Sequence, residues 1–166
     1  TNRKTGIRAI TRDENDHLIN VIRTGGNDNI IIASAFGMAI CFNENDARPM
    51  GRDAAGVRGI MLPGDDIVVG AEKAEEGKTL LTVTENGYGK LTEPAEFTEH
   101  HRGGGGVTAH NLTEKTGALV GIRCVTLNDD LLLINDAGVV IRMGMEDIRI
   151  CGRNSQGVRL IRMDED

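Results

Sequence analysis

Residues 51–60 read GRDAAGVRGI and residues 152–161 read GRNSQGVRLI, identical at six of ten positions. The likeness belongs to a longer period. Gly-Val pairs stand at Gly56-Val57, Gly106-Val107 and Gly157-Val158, with Gly6-Ile7 as a fourth, at spacings of 50, 50 and 51 residues. A second series, Gly37, Gly87 and Gly138, runs 19 residues ahead of each following Gly-Val pair. Two series kept in phase along a chain demand a repeat architecture, in which each unit buries its apolar face against a neighbour. Three units fit, about 6–55, 56–105 and 106–156, with a stub over 157–166. Together they make one domain spanning 1–166.

One unit can be read for local structure. GVRGIML predicts a short strand, Pro63-Gly64-Asp65-Asp66 a turn, IVVGAEKA a second strand, and Glu75-Glu76-Gly77-Lys78 a second turn. TLLTVTE and YGKLT flank Asn86-Gly87, the strongest short hairpin signal. NIIIASAFGMAICF and DLLLINDAGVVIRM are the same hairpin in the other units. With 22 glycines, one tyrosine, three phenylalanines and no tryptophan, the core must be mostly aliphatic and the turns many. The one helical candidate is a turn around Glu93–Phe97 with Pro94 at its start. Four strands in about fifty residues is the period of a propeller blade. The expected fold is all-β, with four-stranded antiparallel blades in a partial ring; a β-sandwich with accidental similarity is the alternative. Gly37, Gly87 and Gly138 are expected at positive φ in hairpin turns, and Val57, Val107 and Val158 in core strands.

The arginines need another explanation. Arg52, Arg102 and Arg153 each lie four residues before a Gly-Val pair, in the loop joining one unit to the next. Arg48 and Arg149 add a second basic position in two of the units. A radial repeat sets equivalent loops around one rim, so these residues would form a spaced basic track suited to a polyanion backbone. Gly51, Gly103, Gly104, Gly105 and Gly152 beside them allow close backbone approach. The alternative is that each arginine braces its own loop through carbonyls or an acid such as Asp46, Glu99 or Glu146.

The formal net charge of −6 is the wrong sign for a simple nucleic-acid binder. Acidic residues concentrate in turns at Asp13–Asp16, Asp65-Asp66, Glu75-Glu76 and 128–130, so a basic rim survives if those turns lie elsewhere. Cys41, Cys124 and Cys151 are odd in number and lack C-x-x-C spacing, which predicts free thiols in a reducing cytoplasm. No apolar run approaches membrane length and no signal peptide is visible, so no membrane partner is expected. The chain opens at Thr1 in already patterned sequence and is expected to be a stretch of a longer protein.

No catalytic residue emerges. Tyr88 opens a strand directly after a hairpin turn and reads as a cross-strand packing residue. His100, His101 and His110 lack a second ligand cluster and are expected in exposed loops, with no metal. RGGGGVT is followed by no G-K-[ST], so it is not a phosphate loop. A scaffold propeller binding proteins remains an alternative, but it has no need to repeat a surface charge from unit to unit. A hydrolytic propeller would need repeated acids or histidines converging on the axis, and none repeats.

The stretches SAFGMAICF, ARPMGRDAAGVRGIML, TENGYGKLT, DAGVVIRM and ICGRNSQGVRLIR fall in the order seen in, and together resemble, the C-terminal β-pinwheel domains of the DNA gyrase A family. The related topoisomerase IV protein shares the fold, but ENGYGK and GRNSQGV look more like gyrase. The resemblance implies blades that exchange strands and a basic outer rim that bends and wraps duplex DNA. It implies a role in ATP-dependent negative supercoiling within a bacterial, cytoplasmic A2B2 enzyme, with ATP and Mg2+ used by other domains and no cofactor here. By it, Arg52, Arg102 and Arg153 are rim contacts, with Arg48 and Arg149 in support. Complete domains of this family have about six blades, so the chain resembles a later half. The family's Q-R-R-G-G-K-G box lies ahead of it, and HHRGGGG at 100–106 is a degenerate relative: His100 and His101 replace Gln and Arg, and Gly105 replaces Lys. Weak DNA binding is therefore expected of this stretch. A half-ring also leaves strand edges unpaired, so an open arc or pairing with a second copy is expected. MDED at the end resembles the start of an acidic extension.

Overall fold

The computed structural model describes residues 17–51 and 56–162. Ten strands form in chain order: β1 Asn29–Ser34, β2 Met38–Asn43, β3 Val68–Ala74, β4 Thr79–Thr84, β5 Tyr88–Thr92, β6 Val107–Thr108, β7 Leu119–Val125, β8 Asp130–Ile134, β9 Val140–Gly144 and β10 Val158–Arg159. Three one-turn 3-10 helices, Glu44–Asp46, Pro94–Glu96 and Met145–Asp147, follow β2, β5 and β9. The expected turn at Pro94 is therefore present, and it recurs in every unit.

The strands make two four-stranded antiparallel sheets, ordered β3-β1-β2-β6 and β10-β5-β4-β7, and a two-stranded sheet β8-β9. Each full sheet is a blade, and neither is contiguous in sequence. The hairpin β1–β2 takes β3 from the next unit on one edge and β6 from the unit after that on the other. The hairpin β4–β5 takes β7 and β10 in the same way. The registers repeat too: Ala33 faces Gly70 as Val83 faces Gly121, and Ala39 faces Val107 as Gly89 faces Val158. Strand exchange ties the blades together through backbone hydrogen bonds as well as side-chain packing.

The core sits mainly between blades. Ile31, Ala33, Ala39 and Cys41 of the first blade pack with Leu80, Leu119 and Ile122 of the second and with Phe97 and Ala109. Leu81, Leu91 and Val125 pack with Met145 and Ile148 toward the third hairpin. Apart from Phe97, Cys41 and Met145 these side chains are aliphatic, in keeping with the composition, and each large one stabilises the fold by about 1.5–3 kcal/mol on burial.

The expected strand in GVRGIML is absent. Residues 57–62 form no strand, and Val57 is 42 % exposed. The equivalent β6 and β10 exist only where a β2 or β5 edge is available to pair with, so Val107 packs against the core and Val57 does not. The third hairpin shows the same rule at the other end. Among the described residues nothing pairs with its outer edges, and Leu132 and Ile134 stand 55 % and 66 % exposed where their counterparts Leu81 and Val83 are packed into the second blade.

The two glycine series mark the crossing of strand and hairpin. Gly37, Gly87 and Gly138 all have positive φ, at 86°, 86° and 82°. A Cβ on Gly37 would lie 2.6 Å from the His110 carbonyl oxygen, and one on Gly87 2.6 Å from that of Ile161. A Cβ on Gly106 would collide with the Ala39 carbonyl, and one on Gly157 would lie 2.7 Å from that of Gly89. Gly37 thus works with Gly106, two Gly-Val pairs along, rather than with Gly56.

Candidate nucleic-acid interface

The arginine loops are bulges in a strand docked along a hairpin. After the 3-10 turn of the second unit, Glu99 bridges in parallel to Cys41, and Val107 then pairs with Ala39. Between these two points residues 101–106 leave the sheet, passing over Ile40. In the next unit Ile150 bridges to Leu91, Val158 pairs with Gly89, and residues 152–157 bulge out over Lys90.

Both described loops share one brace. The Asp46 carboxylate accepts the Arg102 backbone N–H at 2.8 Å, and the Glu96 carboxylate accepts that of Arg153 at 3.1 Å. Asp46 and Glu96 are the last residues of successive 3-10 turns. The Arg102 guanidinium donates to the carbonyl of Arg58 at 3.2 Å, and that of Arg153 to the carbonyl of Thr108 at 3.0 Å. Arg102 adds a bond from Nε to the Asp46 carbonyl, 3.0 Å. The hydrogen bond from the Arg102 backbone is the main reason the Asp46 carboxyl titrates below its ordinary range, with His101 helping. Arg102 and Arg153 are each half-buried. A guanidinium carries five N–H donors, so each retains donors for a second partner.

The bracing alternative is what the structure shows for Arg102 and Arg153, with Asp46 as one acid and Glu96, rather than Glu99 or Glu146, as the other. Arg48 and Arg149 are exposed on the segments following their 3-10 turns. Arg52 lies outside the described residues. Arg102 and Arg153 occupy equivalent stations in successive units rather than converging on one pocket.

Two buried polar side chains escaped the sequence reading. Lys90 is fully buried, and its ammonium donates to the carbonyls of Gly152, Arg153 and Ser155 at 2.8, 2.7 and 2.8 Å. Burial pulls its pKa down to about 8, against nearby Cys151 and Glu96, which raise it. His110 is 1 % exposed, so its expected place in an exposed loop is wrong; His100 and His101 are exposed. Its Nε2 donates to the Gln156 carbonyl at 2.7 Å, which leaves Nδ1 to accept from the Thr82 hydroxyl at 2.9 Å. Burial pushes its pKa down to about 4, the Lys90 charge adds to this, and the Gln156 bond opposes it. The one available signal for Lys90 was a lysine at a position held by Ile40 and Ile141 in the other units.

Tyr88 is a packing residue: it is buried, and its hydroxyl accepts from Arg159 on the facing strand at 3.1 Å. Asp66, at the end of the expected 63–66 turn, is buried, its carboxylate accepting the Phe36 and Ile67 N–H groups at 2.9 Å each. No His, Cys, Asp and Glu cluster able to hold a metal occurs among the described residues. No helix among them is long and apolar enough to cross a membrane.

Comparison with known proteins agrees with this architecture. The family model for the DNA gyrase C-terminal domain, beta-propeller, matches residues 1–24, 28–75, 78–126 and 129–166, four segments with the period of the repeat. The DNA gyrase A protein of Staphylococcus epidermidis is 44 % identical over 164 residues, covering 98 % of this chain and 18 % of that protein. That of Klebsiella oxytoca is 43 % identical over 164 residues, covering 99 % and 19 %. The chain therefore spans about a fifth of the length of these relatives. Among solved structures, a DNA gyrase A C-terminal domain superposes with a TM-score of 0.86 at 28 % identity, over 97 % of this chain and 55 % of that one. The C-terminal domain of a DNA topoisomerase IV gives 0.86 at 23 % identity, over 93 % and 48 %, a likeness of fold. With nearly its whole length matched and its blades built alike, the chain belongs to the family of DNA gyrase C-terminal β-propeller, or β-pinwheel, domains.

Proposed function

We propose that residues 1–166 form a single piece of the DNA-wrapping domain of a gyrase A protein, in repeat units of about 6–55, 56–105 and 106–156 with a stub over 157–166. Duplex DNA bends around an outer rim carrying Arg52, Arg102 and Arg153, with Arg48 and Arg149 in support. The observation that carries this reading is the matching brace of Arg102 and Arg153, each held by an acid and a carbonyl in equivalent loops. A braced arginine with N–H donors to spare, recurring in successive units, suits phosphates spaced along a duplex better than it suits a compact ligand. The negative net charge does not oppose this, because binding depends on local fields and the acids nearest the arginines are engaged with them.

In this reading the stretch is non-catalytic. It serves a bacterial cytoplasmic enzyme of two gyrase A and two gyrase B proteins, whose ATP and Mg2+ act in other domains, and the wrap sets the hand of the DNA crossing for negative supercoiling. The topoisomerase IV alternative shares the fold, but the named relatives at 43–44 % identity are gyrase proteins. The test is topological. Nicked circular DNA is sealed by ligase with and without the protein, then deproteinised. A shift of linking number in one direction, growing with protein concentration, is expected; binding with no shift would contradict wrapping.

A further inference from the structure

We infer that Lys90 is a positioning residue for DNA contact, holding the loop that carries Arg153 in its phosphate-facing form. This rests on the DNA-binding reading above. The blades differ in what lies beneath their arginine loops. Residues 40, 90 and 141 are equivalent, and each stands on the second strand of its hairpin; they are Ile, Lys and Ile. In the first blade the apolar Ile40 side chain lies beneath the Gly-rich loop, its Cδ1 3.6 Å from where a Cβ on Gly104 would stand. That loop is secured instead from its far side, by Gly103 N–H to the Gly59 carbonyl at 2.6 Å and Met61 N–H to the Gly104 carbonyl at 2.8 Å.

In the second blade Lys90 lies between Gly89 and Leu91, the two points where the incoming strand is docked, so its side chain rises into the mouth of the bulge. Its three ammonium protons take three carbonyls of one turn, those of Gly152, Arg153 and Ser155. His110 takes the next, that of Gln156. Four carbonyls within five residues are thereby drawn inward. A loop with its acceptors turned inward presents its side chains and remaining N–H groups outward, the polarity an anion requires. One of those carbonyls belongs to Arg153 itself, so Lys90 fixes the backbone from which that guanidinium projects. A lysine with no carboxylate bonded to it is a costly thing to bury, and holding a core alone does not call for it, since Ile serves in the other two hairpins.

A double-mutant cycle tests this on duplex-DNA affinity, with Lys90→Ile as the first variant because the neighbouring blades already accommodate that residue. If Lys90 acts through Arg153, then Arg153→Ala weakens binding about tenfold in the wild type and less than about threefold in the Lys90→Ile background, while Arg102→Ala weakens both equally. Additive losses for Lys90 with Arg153 would overturn the inference. The wild type alone supplies a second test that needs no variant to fold and no DNA. The Lys90 15Nζ resonance at pH 6.5 is expected to show ammonium protons exchanging slowly enough to observe, and the hydrogen-bonded amides of Ser155 and Gly157 to be protected. A rapidly exchanging ammonium over an unprotected loop would overturn the inference whether or not the protein binds DNA. Protection in a protein that does not bind DNA would instead refute the DNA-binding reading.

Discussion

Asp46 holds Arg102 at two points, its carboxylate accepting the arginine's backbone N–H at 2.8 Å and its carbonyl accepting Nε at 3.0 Å. Asp46 ends a 3-10 turn in one unit and Arg102 opens the loop fifty-six residues on, so the contact spans two repeats. Removing the acid should release the loop without unfolding the blades. In Asp46→Ala, amide exchange at Arg102 is expected to accelerate on the order of tenfold, the loss of one charge-assisted hydrogen bond. Glu96→Ala should do the same at Arg153 and leave Arg102 unchanged. Exchange measured residue by residue by NMR checks both.

The glycines separate a packed position from an open one at similar φ. Gly106 (φ 76°) lies against the Ala39 carbonyl, while Gly138 (φ 82°) has no atom within 4 Å of where a Cβ would stand. Gly138→Ala should therefore cost only the positive-φ penalty, about 1–2 kcal/mol. Gly106→Ala adds a backbone collision and is expected to cost at least twice that. Urea denaturation with a shared slope decides it; equal costs would mean that the strand crossing is not closely packed.

His110 makes stability depend on pH in a defined window. Its folded pKa of about 4 lies below the unfolded value of about 6.5, so between these values the unfolded chain binds more protons and stability falls as pH falls. Below about pH 4 both states are protonated and the contribution of this group levels off. The shift corresponds to a loss of up to about 3 kcal/mol across the window. His110→Gln should flatten the stability profile between pH 6.5 and 4 relative to the wild type, as read by thermal unfolding. An unchanged profile would place the titration elsewhere.

Strand exchange predicts unequal protection among equivalent strands. Leu81 on β4 has a neighbour strand on each side, β5 and β7, whereas Leu132 on β8 has β9 alone among the described residues. Amides of β8 are expected to exchange orders of magnitude faster than those of β4, through local opening rather than global unfolding. Native-state hydrogen exchange checks this.

The period made the fold readable. Gly37, Gly87 and Gly138 pointed to the hairpins and to positive φ, because a tight turn limits its residues locally. What did not show was pairing. Gly106 and Ala39 are brought together by a strand crossing from a distant unit, and nothing local to residues 57–62 distinguishes them from β6 or β10 except the missing partner edge. At the interface the spacing of Arg102 and Arg153 was visible, and so was Asp46 as a brace. Glu96 was hidden because the other two units place Asp there. Lys90 and His110 were hidden because buried polar groups are satisfied by carbonyls, which every residue carries and no sequence displays.

Contact between the repeated arginines and phosphates can be read from the salt dependence of duplex-DNA binding. Binding constants would be measured over a series of salt concentrations for the wild type and for a folded Arg52→Ala, Arg102→Ala, Arg153→Ala triple variant. The expected result is weaker binding with rising salt and, in the variant, a loss of affinity with the slope reduced by about 2–3, close to one unit for each phosphate contact removed. A folded triple variant that keeps the wild-type affinity and slope would contradict phosphate contact and leave the arginines as braces of their own loops.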